Sequence, residues 1–165
     1  MIRSIDCKSI LTVLLAAALI MTAVTDWRTY RIPQGLNVFI AVLGAAVTAV
    51  DALELRGITQ RSLLGQAPVT VAAHLIGAVS VSGLLLIVYI VTKGRGIGGG
   101  DIKLMAAAGL FLGWKNCFVA FAIGCVAALI IQLVGMKVKG QGHEFAFGPY
   151  LAAGILIASL WGDRI

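Results

Sequence analysis

Residues 69–92 read VTVAAHLIGAVSVSGLLLIVYIVT, and this stretch sets the class of fold. It contains no Asp, Glu, Lys or Arg, and its one histidine is His74. A hydrocarbon core about 30 Å thick is crossed by roughly 17–25 apolar residues in a helix. Helix is also the form in which every backbone N–H and C=O is satisfied without water. Working outward, apolar blocks at roughly 9–25 and 35–53 precede it, and blocks at roughly 102–114, 116–136 and 146–162 follow. The 102–114 block is short. Six transmembrane helices are expected, or five if that block crosses only in part. The fold class is an all-α integral membrane protein, with residues 1–165 forming one polytopic domain.

Composition agrees with this class. Of 165 residues 60% are hydrophobic and 12% charged, and mean hydropathy is +1.01. So few charged side chains cannot coat a soluble domain of this length. At the N-terminus, Arg3 and Lys8 precede an alanine-rich apolar run, as in a secretory signal. The run is long for one and ends in Thr25-Asp26-Trp27 without a small-x-small site, so a retained helix is expected. The net charge of +6 comes from basic residues scattered singly between apolar blocks. That pattern fits anionic lipid headgroups and argues against nucleic acid. Cys7, Cys117 and Cys125 form no CxxC pair and have no His at ligand spacing, which argues against a zinc site or a disulfide framework. Cys117 and Cys125 read as small packing residues.

Parity places the acids. Two spans, 35–53 and 69–92, separate Asp26 from Asp101, so both emerge on one side of the membrane, and the loop at 137–145 joins them there. That side carries Arg28, Arg31, Lys93, Arg95, Lys103, Lys137 and Lys139, against Arg3, Lys8, Arg56, Arg61, Lys115 and Arg164 on the other. Seven against six leans towards a cytoplasmic site by the positive-inside rule.

Asp26 ends the first span, and Pro33 suits the first turn of the next helix. Asp101 follows Gly94-Arg95-Gly96-Ile97-Gly98-Gly99-Gly100, a run that implies a flexible or closely approached backbone. Singly, Asp101 reads as a helix N-cap and Asp26 as an interfacial charge beside Arg28. Together, two acids at helix ends on one membrane face are a candidate site. Two close carboxylates cannot both ionise cheaply, so one keeps a proton while the other acts as base. Such a pair activates water for attack on a peptide carbonyl and protonates the leaving amine, with joint apparent pKa values. No metal or cofactor is called for, and no P-loop, HExxH or GxSxG is present. Bare backbone at Gly96–Gly100 could also pair with an extended substrate.

Gly98-Gly99-Gly100-Asp101 reads as GxGD, and its setting, from Lys93 through Asp101-Ile102-Lys103-Leu104-Met105 to Gly109 and Gly113, resembles the type IV prepilin peptidases. Asp26 with Ile32-Pro33 resembles that family's first aspartate motif. Phe147-Gly148-Pro149-Tyr150-Leu151 resembles its motif before the last helix. The resemblance covers residues 26–151. It implies cleavage of a short basic leader from pilin or pseudopilin precursors at the cytoplasmic (inner) membrane of a prokaryote. Asp26 and Asp101 would be catalytic, with Gly98, Gly99, Gly100 and Lys103 supporting. Gln34 stands where the family often has Asn. The chain starts almost at its first helix and lacks the paired CxxC motifs of the larger methylating members. It therefore resembles the short peptidase-only type of tight-adherence pilus systems, or the archaeal preflagellin enzymes.

Two other readings share some of these features. Signal peptide peptidase and presenilin share GxGD, but their first aspartate lies in Tyr-Asp and their late motif is Pro-Ala-Leu. A small proton or cation transporter could use the same acids, though no acid lies mid-span and no inverted repeat is visible. His74 reads as hydrogen-bonded to a neighbouring helix rather than as a relay. Gly109/Gly113 and Ala41/Ala45/Ala49 read as small-residue rows for close helix packing. Gly148-Pro149 breaks the chain ahead of the last helix, and Tyr150 and Trp161 fit interfacial anchors.

Overall fold

Long apolar blocks leave the backbone one economical conformation, and each of them is helical. The computed structural model describes the backbone of residues 2–29, 32–59, 67–94, 97–139 and 146–161. It describes the side chains of 9–29, 32–53, 71–94, 97–133 and 146–161. The elements are α1 (Ile2–Thr29), α2 (Gln34–Thr59), α3 (Ala67–Val91), α4 (Gly99–Lys139) and α5 (Gly148–Trp161). Arg31, Arg95, Gly96 and the segment 140–145 lie outside the described residues, as do the side chains of Arg3, Lys8, Cys7, Arg56, Arg61, Lys137, Lys139 and Arg164. The charge tally therefore has no full structural counterpart.

Among the described residues, four helices are long and apolar enough to cross a membrane, with windows at Ser9–Thr29, Gln34–Leu53, Val71–Val91 and Gly99–Leu133. Only 22–28% of each window is buried inside the molecule, so most of its apolar surface points outward. In water such a surface would be untenable. Ile10, Val13, Met21, Ile87, Val91 and Ile130 are each more than half exposed, as lipid-facing side chains are. The chain is an all-α, multi-pass membrane protein.

Among the described residues the helical elements number five rather than six, because the predicted spans 102–114 and 116–136 are two limbs of the one element α4. Within it Gly113 alone leaves helical geometry, at φ 72° and ψ 173°. The Cys117 thiol nevertheless lies 3.9 Å from the Met105 carbonyl oxygen. Twelve residues of straight helix would hold those groups about 18 Å apart. The chain thus doubles back at Gly113, and the limbs 99–112 and 114–139 run side by side.

A break in a helix strands carbonyls that the next turn would have paired. The Leu110 carbonyl accepts instead from Thr48 Oγ1 at 3.0 Å and from His74 Nδ1 at 2.8 Å. The other ring nitrogen of His74 lies 3.2 Å from Asp51 Oδ2. An oxygen faces each ring nitrogen of His74. His74 is thus bonded to a neighbouring helix, as its position inside an apolar span implied.

Close packing runs through glycines. A Cβ on Gly109 would sit 2.3 Å from the Gly77 carbonyl oxygen, and one on Gly44 would sit 2.8 Å from Leu110 Cβ. Gly154 approaches the Ala120 carbonyl in the same way. This is the small-residue contact that lets membrane helices touch by their backbones. Gly109 behaves as its spacing predicts, whereas Gly113 is chiefly the turn. The Ala41/Ala45/Ala49 row is a correction: Ala45 and Ala49 are exposed, and α2 buries Ile40, Leu43, Gly44 and Val47 instead. α3 closes with Lys93 N–H on the Ile90 carbonyl and Gly94 N–H on the Tyr89 carbonyl. This is a Schellman arrangement, with Lys93 at φ 52° in the left-handed position.

The backbone at Gly113 is one that only glycine adopts without strain. Gly113→Ala is expected to lower stability by about 1–3 kcal/mol, although the nearest atom to its Cβ would be His74 Cε1 at 4.0 Å. Gly35→Ala, with nothing within 4 Å, should leave the thermal midpoint in detergent unchanged or slightly raised. Equal midpoints for the two variants would show that the turn tolerates a side chain.

Candidate active site

Three helix ends meet around one cavity. Asp26 lies in the last turn of α1, Asp101 in the first turn of α4, and Gly148 opens α5. Asp26 is 5% and Asp101 7% exposed, an unusual depth for acids. Both line a cavity of about 400 Å³ with Ile32, Asn37, Gly98, Gly99, Gly100 and Lys103. The parity argument thus holds in space: two helices separate the acids in sequence, and they return to one place.

α5 holds Asp26. The N–H groups of Tyr150 and Leu151 return to the Phe147 carbonyl, which makes Phe147 the cap and Gly148 the first helical residue. Pro149, one position on, lacks an N–H where none is needed. The Gly148 N–H has no acceptor within its own helix, and it donates to Asp26 Oδ2 at 3.1 Å. A Cβ on Gly148 would lie 2.6 Å from that oxygen and 3.2 Å from Ile32 Cδ1. The Gly-Pro pair therefore does more than break the chain: it seats a carboxylate on a helix N-terminus. The side chain of Arg28 is exposed, and Asp26 turns to α5 instead.

Asp101 departs from the N-cap expectation by three positions. Its N–H donates to the Gly98 carbonyl at 3.1 Å, so Gly98 is the cap. Asp101 Oδ2 reaches back to accept from the Gly98 N–H at 3.3 Å, the returning arm of a capping box. The glycines differ in purpose. A Cβ on Gly100 would meet Ile32 Cβ at 3.0 Å, while Gly99 has nothing within 4 Å. None of Gly98, Gly99 and Gly100 has positive φ. Close approach, not unusual dihedrals, accounts for Gly100. Ile32 touches the positions of both Gly100 and Gly148 and so spaces the two acid-bearing segments.

Lys103 lines the cavity with an exposed side chain. Among the described residues, no three His, Cys, Asp or Glu side chains cluster as a metal site would require. Sequence reasoning passed over Asn37, which is 5% exposed and donates from Nδ2 to the Gly100 carbonyl at 3.3 Å. A usable signal existed, since Asn37 is a lone amide inside an apolar span, one turn beyond Ile32-Pro33.

Chemically, the cavity presents two shielded carboxyl groups, each held by a backbone N–H from a glycine, beside an amide and a lysine. The model of the type IV leader peptidase family matches residues 13–133. A Bacillus subtilis protein described as a prepilin leader peptidase/N-methyltransferase is 33% identical over 157 residues, covering 93% of this chain and 56% of that protein. Proteins of the same description from Legionella pneumophila and Pseudomonas aeruginosa are 39% and 32% identical over 79 and 91 residues. Those matches cover 47% and 54% of this chain, and 28% and 31% of the relatives. The chain spans about half the length of the Bacillus relative. No solved structure matches it.

Proposed function

The chain belongs to the type IV leader peptidase family, and on that premise we propose that it is an aspartic endopeptidase removing the basic leader from pilin or pseudopilin precursors. Asp26 and Asp101 are its catalytic pair, acting at the cytoplasmic face of a prokaryotic inner membrane. One observation carries the proposal: two buried carboxyl groups from different helices share the wall of one cavity.

In this mechanism one carboxylate takes a proton from a water held between the pair while that water attacks the scissile carbonyl. The other carboxyl, protonated at the start, hydrogen-bonds the carbonyl oxygen as it gains charge. As the tetrahedral intermediate collapses, the first carboxyl passes the proton it took from water to the leaving amine and is a carboxylate again. The Gly148 and Gly98 N–H groups fix the carboxyl positions, so little reorganisation remains for the reaction itself. Gly98, Gly99, Gly100 and Lys103 shape the wall on which the leader junction rests. The precursor's own apolar helix lies beside the enzyme in the bilayer. Of the two activities in the relatives' description, this geometry supports the hydrolytic one.

Purified protein in liposomes, given a pilin-like precursor with and without EDTA, should yield a shortened product. N-terminal sequencing of that product should place the cut after the basic leader. Intact precursor together with ion flux across the vesicles would replace the peptidase with the transporter.

A further inference from the structure

Asn37 has completed only half of its hydrogen bonding. Its Nδ2 is committed to the Gly100 carbonyl at 3.3 Å. Its Oδ1 is the one buried side-chain polar atom without a partner among the described residues. The assignment of the two amide atoms is not arbitrary, because a flipped amide would set its oxygen against the Gly100 oxygen. What remains is therefore an acceptor. A buried carbonyl oxygen left unpaired costs free energy, and native structures carry few of them without a reason.

The surroundings indicate what would pair it. Asn37 lines the same cavity as Asp26 and Asp101. Gly99 and Gly100, also on that wall, are the first two residues of α4, and N–H groups at such positions find no acceptor inside the helix. An acceptor beside such donors is complementary to a peptide main chain, which alternates N–H and C=O. We propose that Asn37 is a substrate-binding residue whose Oδ1 accepts a hydrogen bond from a main-chain N–H of the precursor, close to the bond that is cut. This inference rests on the peptidase function given above. The oxygen is shielded in the free enzyme, so docking shifts the wall slightly. The wall is open at Gly99, with nothing within 4 Å of where its Cβ would be. Holding the substrate by its backbone at this point makes binding there indifferent to side-chain identity.

The test is a chemical double-mutant cycle. In a synthetic precursor, residues on either side of the scissile bond, except the one that supplies its nitrogen, are replaced one at a time by the corresponding α-hydroxy acids. Each replacement turns one main-chain N–H into an ester oxygen and leaves the scissile amide itself intact. At one position the ester should lower kcat/KM of the wild type about tenfold, the size expected for one hydrogen bond lost from a shielded site. Asn37→Leu should cut the all-amide precursor about tenfold more slowly and lose less than about twofold further on that ester. An ester that costs Asn37→Leu as much as it costs wild type overturns the assignment and leaves Asn37 a purely structural residue. If Asn37→Leu does not fold, the wild-type series decides alone, and a series with no sensitive position overturns it. Wild type that leaves even the all-amide precursor intact fails the peptidase function itself, a result distinct from either of these.

Discussion

Asp26→Asn and Asp101→Asn are each expected to lower precursor cleavage by about 10²- to 10⁴-fold, the range attributable to a positioned acid or base. Thermal midpoints in detergent should stay near the wild-type value. The expectation of a preserved fold follows from the contacts. Asp26 accepts from the Gly148 N–H and Asp101 from the Gly98 N–H, and the carboxamide oxygen of asparagine can accept both bonds. The amide cannot take up or release the proton that the reaction moves. Alanine would be a poorer probe, since it deletes the cap together with the chemistry and confuses the two losses. Cleavage at the wild-type rate by either asparagine variant would reduce that acid to a helix-end partner. Loss of folding in both, by contrast, would mean that the charges stabilise the helix ends more than the caps alone do.

Gly148→Ala should give the next largest effect, about a 10²-fold fall in kcat, the loss that a displacement of about 1 Å can cause. The added Cβ would lie 2.6 Å from Asp26 Oδ2 and 3.0 Å from Asp26 Cγ. The atoms in its way belong to the end of a side chain, so Asp26 can rotate aside with little damage to the helices. In doing so it gives up the Gly148 N–H and its place on the cavity wall. A selective loss of kcat with a nearly unchanged thermal midpoint is therefore the signature to look for. Gly83→Ala, with nothing within 4 Å, is the matched control and should cleave as wild type does. If Gly148→Ala cleaves equally well, the bond from Gly148 does not set the position of Asp26.

Much of the protein was legible before any coordinates. The stretch between positions 69 and 92 contains no Asp, Glu, Lys or Arg, and lipid accepts such a segment in one way because it offers the backbone no water. Counting spans between Asp26 and Asp101 then put both acids on one side, since parity survives any detail of packing. The contribution of α5 was harder to see. Phe147-Gly148-Pro149 showed where a helix starts, but not which group its first N–H would meet, 122 residues away in sequence.

The misreadings have a common cause. Gly113 was placed in a packing row by its spacing from Gly109, yet its dihedral angles make it the turn that joins two expected spans into α4. Ala41, Ala45 and Ala49 share a helix face, but helical spacing says which residues share a face and not which face meets a neighbour. Without a hydrophobic effect between helices inside lipid, that choice falls to backbone contact, and it went to Gly44 against Leu110.

By itself, then, the sequence determined the membrane class, the approximate spans and the pairing of Asp26 with Asp101 on one face, because hydropathy and parity are properties of the chain taken in order. Only the tertiary structure decided that Gly148 holds Asp26, that Ile32 spaces the acid-bearing segments, and that Asn37 brings an unpaired acceptor to the cavity. Those are contacts between groups far apart in sequence, fixed to within an ångström by how closely particular glycines let the helices approach.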